Sequence, residues 1–264
     1  MVTLKLAAGM AIGAATSALL AYAGTVTGRR PVAPAEHLAL RAFAAWWYGA
    51  SVVILLPTLR TVLAVVGIVD PALHATIALL GNVPLALALG GLAYYILYLI
   101  TGRSRWMYPV AIAYSAYFGY LLWYTNQLGE RTVAMGEWQA RLVAENAAPP
   151  AATLVFGLVL AGPILALVLA YSVLVFRVQQ RTQRYRLIMV AGGFLQLFVA
   201  VLAGFALQLT QEPWFPLMYE LPALMLSILV VTAYRPPRLV QRWLKIEAVP
   251  ALPPTQPTSL SSDR

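Results

Sequence analysis

The chain has 264 residues, of which 61% are hydrophobic and only 10% are charged, and its mean hydropathy is +0.76. A soluble globular domain does not need so much apolar surface, so the composition indicates a multi-pass membrane protein instead. The net charge is +9, and 16 of the 18 basic residues are Arg. Because nearly all of them lie beside apolar runs, they indicate membrane anchoring and not a nucleic-acid partner.

Several kinds of reactive site are excluded by residue type. The chain has no Cys and only two His, which removes disulfides, cysteine nucleophiles and multi-histidine metal sites. It also lacks a phosphate-binding glycine loop and a serine elbow. We therefore expect a protein that is not an enzyme and has no catalytic residue, metal site or cofactor.

Seven apolar runs are long enough for a membrane-spanning helix, which needs ~20 residues. Their approximate limits are Leu6–Val26, Phe43–Val66, Leu73–Ile100, Met107–Thr125, Ala152–Phe176, Leu187–Leu209 and Phe215–Tyr234. The sequence thus predicts an all-α integral membrane bundle of seven transmembrane helices over residues 1–234. We expect an amphipathic juxtamembrane segment at 235–249 and a disordered tail at 250–264 to follow it.

Basic residues predict the orientation of these runs. The connections after the first, third, fifth and seventh runs carry thirteen of them, and the opposite side carries Lys5, Arg131 and Arg141. Basic connections stay in the cytoplasm, so the N-terminus is predicted outside and the C-terminus inside. The densest cluster, Arg177–Arg186, has four arginines in ten residues.

The first run permits two interpretations. Lys5, the apolar stretch and Ala21-Tyr22-Ala23 resemble a cleaved secretory signal, but cleavage would place all thirteen basic residues outside. We therefore interpret the run as a transmembrane helix. Small residues recur on it every four positions and form a narrow stripe, which could pack within this protein or form a homodimer seam. These residues are Gly9, Gly13, Ser17 and Ala21.

Two ionisable residues lie inside the predicted spans. Arg60 in the second run and Glu220 in the seventh both fall about 10 Å below the outer boundary, at ~1.5 Å per residue. Charges at that depth face the bundle interior and have a partner, so we predict an Arg60–Glu220 pair. The alternative is that Arg60 extends toward the surface and that Glu220 belongs to a proline-loosened loop.

Amides and tyrosines complete the predicted ligand site. Asn82 and Gln196 lie near mid-membrane by residue count, where amides either bridge helices or bind a ligand. The fourth run carries a tyrosine stripe that either packs as core or lines a cavity, with Tyr117 and Tyr124 as candidate ligand contacts. In the long outer connection, the four-residue spacing of Glu137 and Arg141 predicts a short surface helix, as a lid or a linker.

Local features spread over residues 38–235 resemble the seven-helix N-terminal sensor region of bacterial and archaeal membrane histidine kinases. They are Trp46-Trp47, Asn82-Val83-Pro84, Thr101-Gly102-Arg103-Ser104-Arg105-Trp106, Tyr124-Thr125-Asn126 and Arg181-Thr182-Gln183-Arg184-Tyr185-Arg186. The resemblance implies a prokaryotic plasma-membrane protein that senses an external or membrane signal. Only 30 residues, 235–264, follow the seventh run, and they include no histidine. A partner is therefore expected to provide the output.

The leading hypothesis is a sensor that binds a small or lipid-like ligand in the outer half of the bundle. Arg60 and Glu220 would form its charged centre, and Arg181 and Arg184 would bind a membrane or cytoplasmic protein partner. The alternative is a non-catalytic accessory subunit of a larger membrane complex. A transporter is the third hypothesis, although the inner half of the bundle is mainly apolar.

Overall fold

The computed structural model describes residues 3–29, 36–102, 107–126, 131–144, 149–207, 212 and 214–243. Its long helices are α1 (Leu4–Gly28), α2 (His37–Val65), α3 (Pro71–Thr101), α4 (Met107–Asn126), α5 (Pro150–Arg177), α6 (Arg181–Ala206) and α7 (Phe215–Tyr234). A hairpin of strands β1 (Arg131–Met135) and β2 (Ala140–Ala144) joins α4 to α5, and the short helix α8 (Arg238–Trp243) follows α7. The rest of the predicted juxtamembrane segment, 244–249, and the predicted tail, 250–264, lie outside the described residues.

Six of the described helices are long and apolar enough to cross a membrane, namely α1, α2, α3, α5, α6 and α7. The protein is therefore a helical multi-pass membrane protein, as the composition predicts. Helix α4 is not among the six. It has the necessary length, but five of its 20 residues are tyrosines, which lower its hydropathy.

The helices other than α4 form a closed bundle. Helix α1 packs between α2 and α7, α3 packs on α2, and α5 joins α3 to α6, which in turn packs on α7. Helix α4 lies outside this ring, against α3. The core contains an aromatic cluster in which Phe43 stacks on Tyr95 at 4.4 Å and Trp47 contacts Phe194 at 5.4 Å between ring centroids.

The two ends of the bundle differ in chemistry. One end, which we name the basic end, contains the last turns of four helices, α1, α3, α5 and α7. It also contains the first turns of three helices, α2, α4 and α6. At the other, the hairpin end, the β1–β2 hairpin packs on α2 and α3. The basic end carries cation contacts, because Arg235 hydrogen-bonds the Tyr22 hydroxyl and Arg186 donates to the carbonyl of Ala233. These contacts tie the end of α7 to both α1 and α6.

The small-residue stripe of α1 packs within the protein. A Cβ on Gly9 would lie 2.1 Å from the carbonyl oxygen of Trp138, and one on Gly13 would lie 2.2 Å from Thr58 Oγ1. Ser17 and Ser51 exchange hydrogen bonds between α1 and α2, each donating to the other's carbonyl at 3.0 and 2.8 Å. The interpretation as an internal packing surface is therefore confirmed for these residues.

Two local predictions are wrong. The four-residue spacing of Glu137 and Arg141 does not form a helix, because residues 131–144 are an antiparallel hairpin in which Met135 pairs with Ala140. The connection between the fifth and sixth apolar runs, predicted to lie between Phe176 and Leu187, is also shorter than expected. Helix α6 already begins at Arg181, and only residues 178–180 separate it from α5. A four-residue spacing of opposite charges, such as that of Glu137 and Arg141, is typical of a helix. It does not exclude a strand where the intervening turn favours a hairpin.

The close α2–α3 crossing generates a stability prediction. A Cβ on Gly49 would lie 2.4 Å from Ala88 Cβ and 2.8 Å from the carbonyl oxygen of Pro84. We expect Gly49→Ala to cost about 1–3 kcal/mol through overpacking, measured by thermal unfolding in detergent. Gly162→Ala is the matched control, because nothing lies within 4 Å of that site. Equal stability of the two variants would contradict the close packing of α2 on α3 at Gly49.

Candidate functional site

The candidate site lies at the hairpin end, where the hairpin enters the bundle. The backbone N–H of Ala140 donates to Thr61 Oγ1 at 3.0 Å, and Thr61 itself donates to the carbonyl of Pro57 at 2.9 Å. Thr61 is fully buried, and Gln139 beside it is only 5% exposed. A polar loop residue buried in this way requires hydrogen-bond partners inside the bundle.

Glu220 on α7 is the partner of the hairpin. Its side chain is 1% exposed, and its Oε1 accepts a hydrogen bond from Nε2 of Gln139. Its Oε2 is buried and has no hydrogen-bond donor among the described residues. Gly13 of α1 lies beside the carboxyl, since a Cβ there would be in ordinary van der Waals contact with Oε1 at 3.7 Å. A buried oxygen without a donor is costly unless something binds it, so this position can accept a donor or cation from a ligand.

Arg60 belongs to the same neighbourhood. The described hydrogen bond to the Glu220 carboxyl comes from Gln139, and a direct Arg60–Glu220 ion pair stays a prediction. Arg60 lies near Thr61 on α2, and its charge acts on the hydroxyl of Tyr219, the residue preceding Glu220. The acid and the base therefore share one polar cluster, linked through the hairpin and Tyr219.

The rim of the site carries further charges. Lys5 forms an ion pair with Glu137 at 2.7 Å, but both side chains are more than half exposed, so the pair adds little stability. Arg141 donates to the carbonyl of Glu212. Partial burial lowers the pKa of the Arg141 guanidinium, while the nearby Tyr219 and Glu212 oppose that shift. Arg141 stays charged, since an arginine is not deprotonated in a protein.

A pocket of about 790 Å³ with a mixed polar and apolar lining adjoins the hairpin turn. Its walls come from the start of α1, the end of α2 and the turn itself. The residues that line it are Thr3, Leu4, Lys5, Leu6, Ala64, Val65, Met135, Gly136 and Glu137. A molecule in this pocket would touch the same turn that presents Gln139 to Glu220.

The other predicted ligand contacts do not join this cluster. Asn82 lines a separate groove beside α3 and α4. Tyr117 and Tyr124 are 48% and 41% exposed on α4, which packs on α3 and not on α7. Gln196 lies on an exposed face of α6. All four residues lie within helices, as the sequence predicts, but residue count could not give the direction in which each side chain points.

The predicted partner residues Arg181 and Arg184 are both exposed at the start of α6. Arg186, two residues further on, is turned toward α7, where its guanidinium lies 5.9 Å from the centroid of the Tyr234 ring. The arginines of this cluster thus divide into three exposed residues, Arg177, Arg181 and Arg184, and one that is turned inward, Arg186. No group of three metal-ligating side chains comes together among the residues that the structure describes.

The sequence interpretation missed Gln139, Thr61 and Tyr219. Gln139 lies in a connection that was expected to be a surface element, so its polarity carried no signal of burial. Thr61 follows Arg60 by one residue in an apolar run, and a threonine there usually hydrogen-bonds its own helix. The Pro57–Thr61 spacing of four residues was the available signal.

No protein-family model matches the chain, and no curated protein matches it. Function must therefore be argued from the geometry of these residues.

Removing the Thr61 hydroxyl tests the docking of the hairpin. Thr61→Val leaves the N–H of Ala140 without its acceptor, at a cost of about 1–3 kcal/mol. We expect hydrogen exchange in residues 131–144 to become roughly 5- to 150-fold faster. Thr58→Val is the control, since Thr58 donates to Ile54 within α2 and not to the hairpin. Equal exchange in both variants would show that Thr61 does not anchor the hairpin.

Proposed function

We propose that the protein is a seven-helix membrane sensor whose ligand binds at the hairpin end and whose output passes through a partner at the basic end. The observation that carries the proposal is the contact between Gln139 of the hairpin and the buried Glu220 of α7. A surface hairpin that reaches a buried carboxyl can transmit its position to a helix. The resemblance to histidine-kinase sensor regions is in keeping with this role.

Helix α7 is the proposed path of the signal. It contacts the hairpin through Glu220 near its start, and its last turn is held by the contacts of Arg186 and Arg235. The short helix α8 follows directly. A ligand that favours one position of the hairpin would therefore favour one position of α7 and α8. Such differential binding is the condition for any ligand-driven change.

The chemistry of the cluster suggests the class of ligand. Oε2 of Glu220 accepts hydrogen bonds and attracts positive charge, while Arg60 attracts negative charge. Glu137 and Lys5, which pair with each other, line the pocket beside the turn. A small polar or lipid-like ligand that has both a donor and an acceptor group fits this arrangement.

The proposed orientation has the hairpin end outside and the basic end in the cytoplasm of a prokaryotic cell. The distribution of basic residues supports this orientation. A crossing by α4 is supported by connectivity, since α3 ends at the basic end and the hairpin lies at the opposite end. Twenty residues of helix extend about 30 Å at ~1.5 Å per residue, which spans a hydrocarbon core of ~30 Å.

The test is the identification of small molecules and lipids that co-purify with the protein, by mass spectrometry of the extracted sample. We expect a bound molecule whose occupancy falls at least ~10-fold in Arg60→Ala and Glu220→Gln, because each loses a charged contact. Arg29→Ala at the basic end is the control. Unaltered occupancy in Arg60→Ala would remove Arg60 from the site.

A second function, as an accessory subunit of a larger membrane complex, is favoured by Gln196. Its amide is exposed on α6 within a membrane-spanning helix, and a Cβ on Gly192, one turn away, would meet nothing within 4 Å. A polar side chain beside open space suits contact with another transmembrane helix. A stoichiometric membrane partner in mild detergent, lost on Gln196→Leu, would favour this function over the sensor.

A further inference from the structure

A groove of about 870 Å³ runs along α3 between α2 and α4, away from the hairpin-end cluster. Its size lies within the range of ~300–1,000 Å³ that is usual for small-molecule sites. On α3 the lining extends from Leu79 to Tyr94, which is about 22 Å at ~1.5 Å per residue. The side chains of Leu79, Val83, Leu87 and Ile112 are exposed along it, so the groove opens to the outside of the bundle.

Glycines shape the floor of the groove. A Cβ on Gly90 would lie 1.8 Å from Ser115 Oγ of α4, and one on Gly91 would lie 2.8 Å from the carbonyl oxygen of Ala42 of α2. The absence of side chains at these two positions lets both neighbouring helices approach α3 closely. The neighbouring helices therefore fill the positions that side chains would take at these glycines, and the groove runs beside this close packing.

A basic residue and two tyrosines lie at one end of this mainly apolar groove, whose other polar lining residues include Asn82 and Ser115. Arg41, four residues after α2 begins, lines it with an exposed side chain. Tyr94 is 4% exposed, and its buried hydroxyl makes no hydrogen bond of normal geometry among the described residues, although the hydroxyl of Tyr108 lies close to it. The ring of Tyr108, next to the start of α4, lies 5.2 Å from that of Tyr94. All three residues belong to the basic end.

We infer that the groove binds one anionic phospholipid, with an acyl chain along α3 and the phosphate on Arg41. A guanidinium binds phosphate oxygens bidentately, and the Tyr94 hydroxyl can donate to a phosphate or ester oxygen of the same headgroup. The 22 Å length exceeds the ~15 Å half-thickness of the ~30 Å hydrocarbon core, so a chain from one leaflet fits. Basic pockets between transmembrane helices commonly hold such headgroups.

The charge of Arg41 distinguishes an anionic phospholipid from the other possible occupants of the groove. An apolar helix from a second copy or another protein would cover the leucines and valines but would bring no anion to Arg41. An uncharged lipid would likewise leave Arg41 unused. The lipid would come from the leaflet at the basic end. The proposed orientation identifies this leaflet as the cytoplasmic one, and the inference depends on the orientation in no other way. The inference is otherwise independent of the hairpin-end ligand site.

The test uses the full chain reconstituted in vesicles of equal parts phosphatidylglycerol and phosphatidylcholine. After mild re-extraction and washing, the lipid that remains bound is quantified per protein by mass spectrometry. We expect phosphatidylglycerol to be enriched about five-fold, the effect of one basic residue near anionic lipid. Arg41→Ala should reduce the ratio to about that of the vesicles, and Arg177→Ala, also exposed at the basic end, should not.

A second variant tests the chain-binding part of the groove. Ala116 lines the groove with an exposed side chain, so Ala116→Trp fills the space without entering the core. We expect this variant to lose the retained lipid while unfolding at the temperature of the wild type. Enrichment that survives both Arg41→Ala and Ala116→Trp would overturn the inference. A lipid-free dimer of the wild type would overturn it as well, in favour of a second copy.

Discussion

The structure at the hairpin end depends on how one buried carboxyl is satisfied. Glu220 lies among apolar helices at 1% exposure, where a polar group without hydrogen bonds is strongly unfavourable. Gln139 provides one hydrogen bond, and it can do so only because residues 131–144 fold as a hairpin that reaches into the bundle. Gly9 of α1 belongs to the same constraint, since a side chain there would collide with the backbone of Trp138 in the turn.

The two proposed sites use the helices differently. At the hairpin end, side chains of α1, α2 and α7 contact the β1–β2 hairpin, so a ligand there would change how the hairpin packs on the bundle. The groove along α3 faces the surrounding lipid and has its charged residue, Arg41, at the basic end. A lipid held there would stabilise the packing of α4, the one long helix outside the ring. The sites share no lining residue, so each can be lost without the other.

Much of the fold could be predicted from the sequence because hydropathy and charge act locally. The apolar runs agree with the helices to within a few residues at most ends, and α7 has the predicted limits of Phe215–Tyr234. The start of α6 at Arg181 was missed because arginine is a good helix former and the charged turn extends the apolar run. Helix α4 has a run of membrane length, but its tyrosines lower its hydropathy.

The candidate site was only partly predictable. Arg60 and Glu220 were identified because an ionisable residue inside an apolar run is expensive, and both lie in the polar cluster. Gln139 was missed because the burial of a loop residue depends on tertiary contacts and leaves no periodic pattern. Gln196 and the α4 tyrosines were misplaced for a related reason. A fully apolar helix does not reveal which of its faces points inward.

The most direct measurement is a double-mutant cycle between Gln139→Ala and Glu220→Leu, read as the free energy of opening of residues 131–144 from hydrogen exchange. If the two side chains hold the hairpin together, each variant lowers that free energy and the double variant lowers it little further. We predict a coupling energy on the order of 1–3 kcal/mol. If the double variant lowers the opening free energy by the sum of the two single effects, within about 0.5 kcal/mol, the account is contradicted.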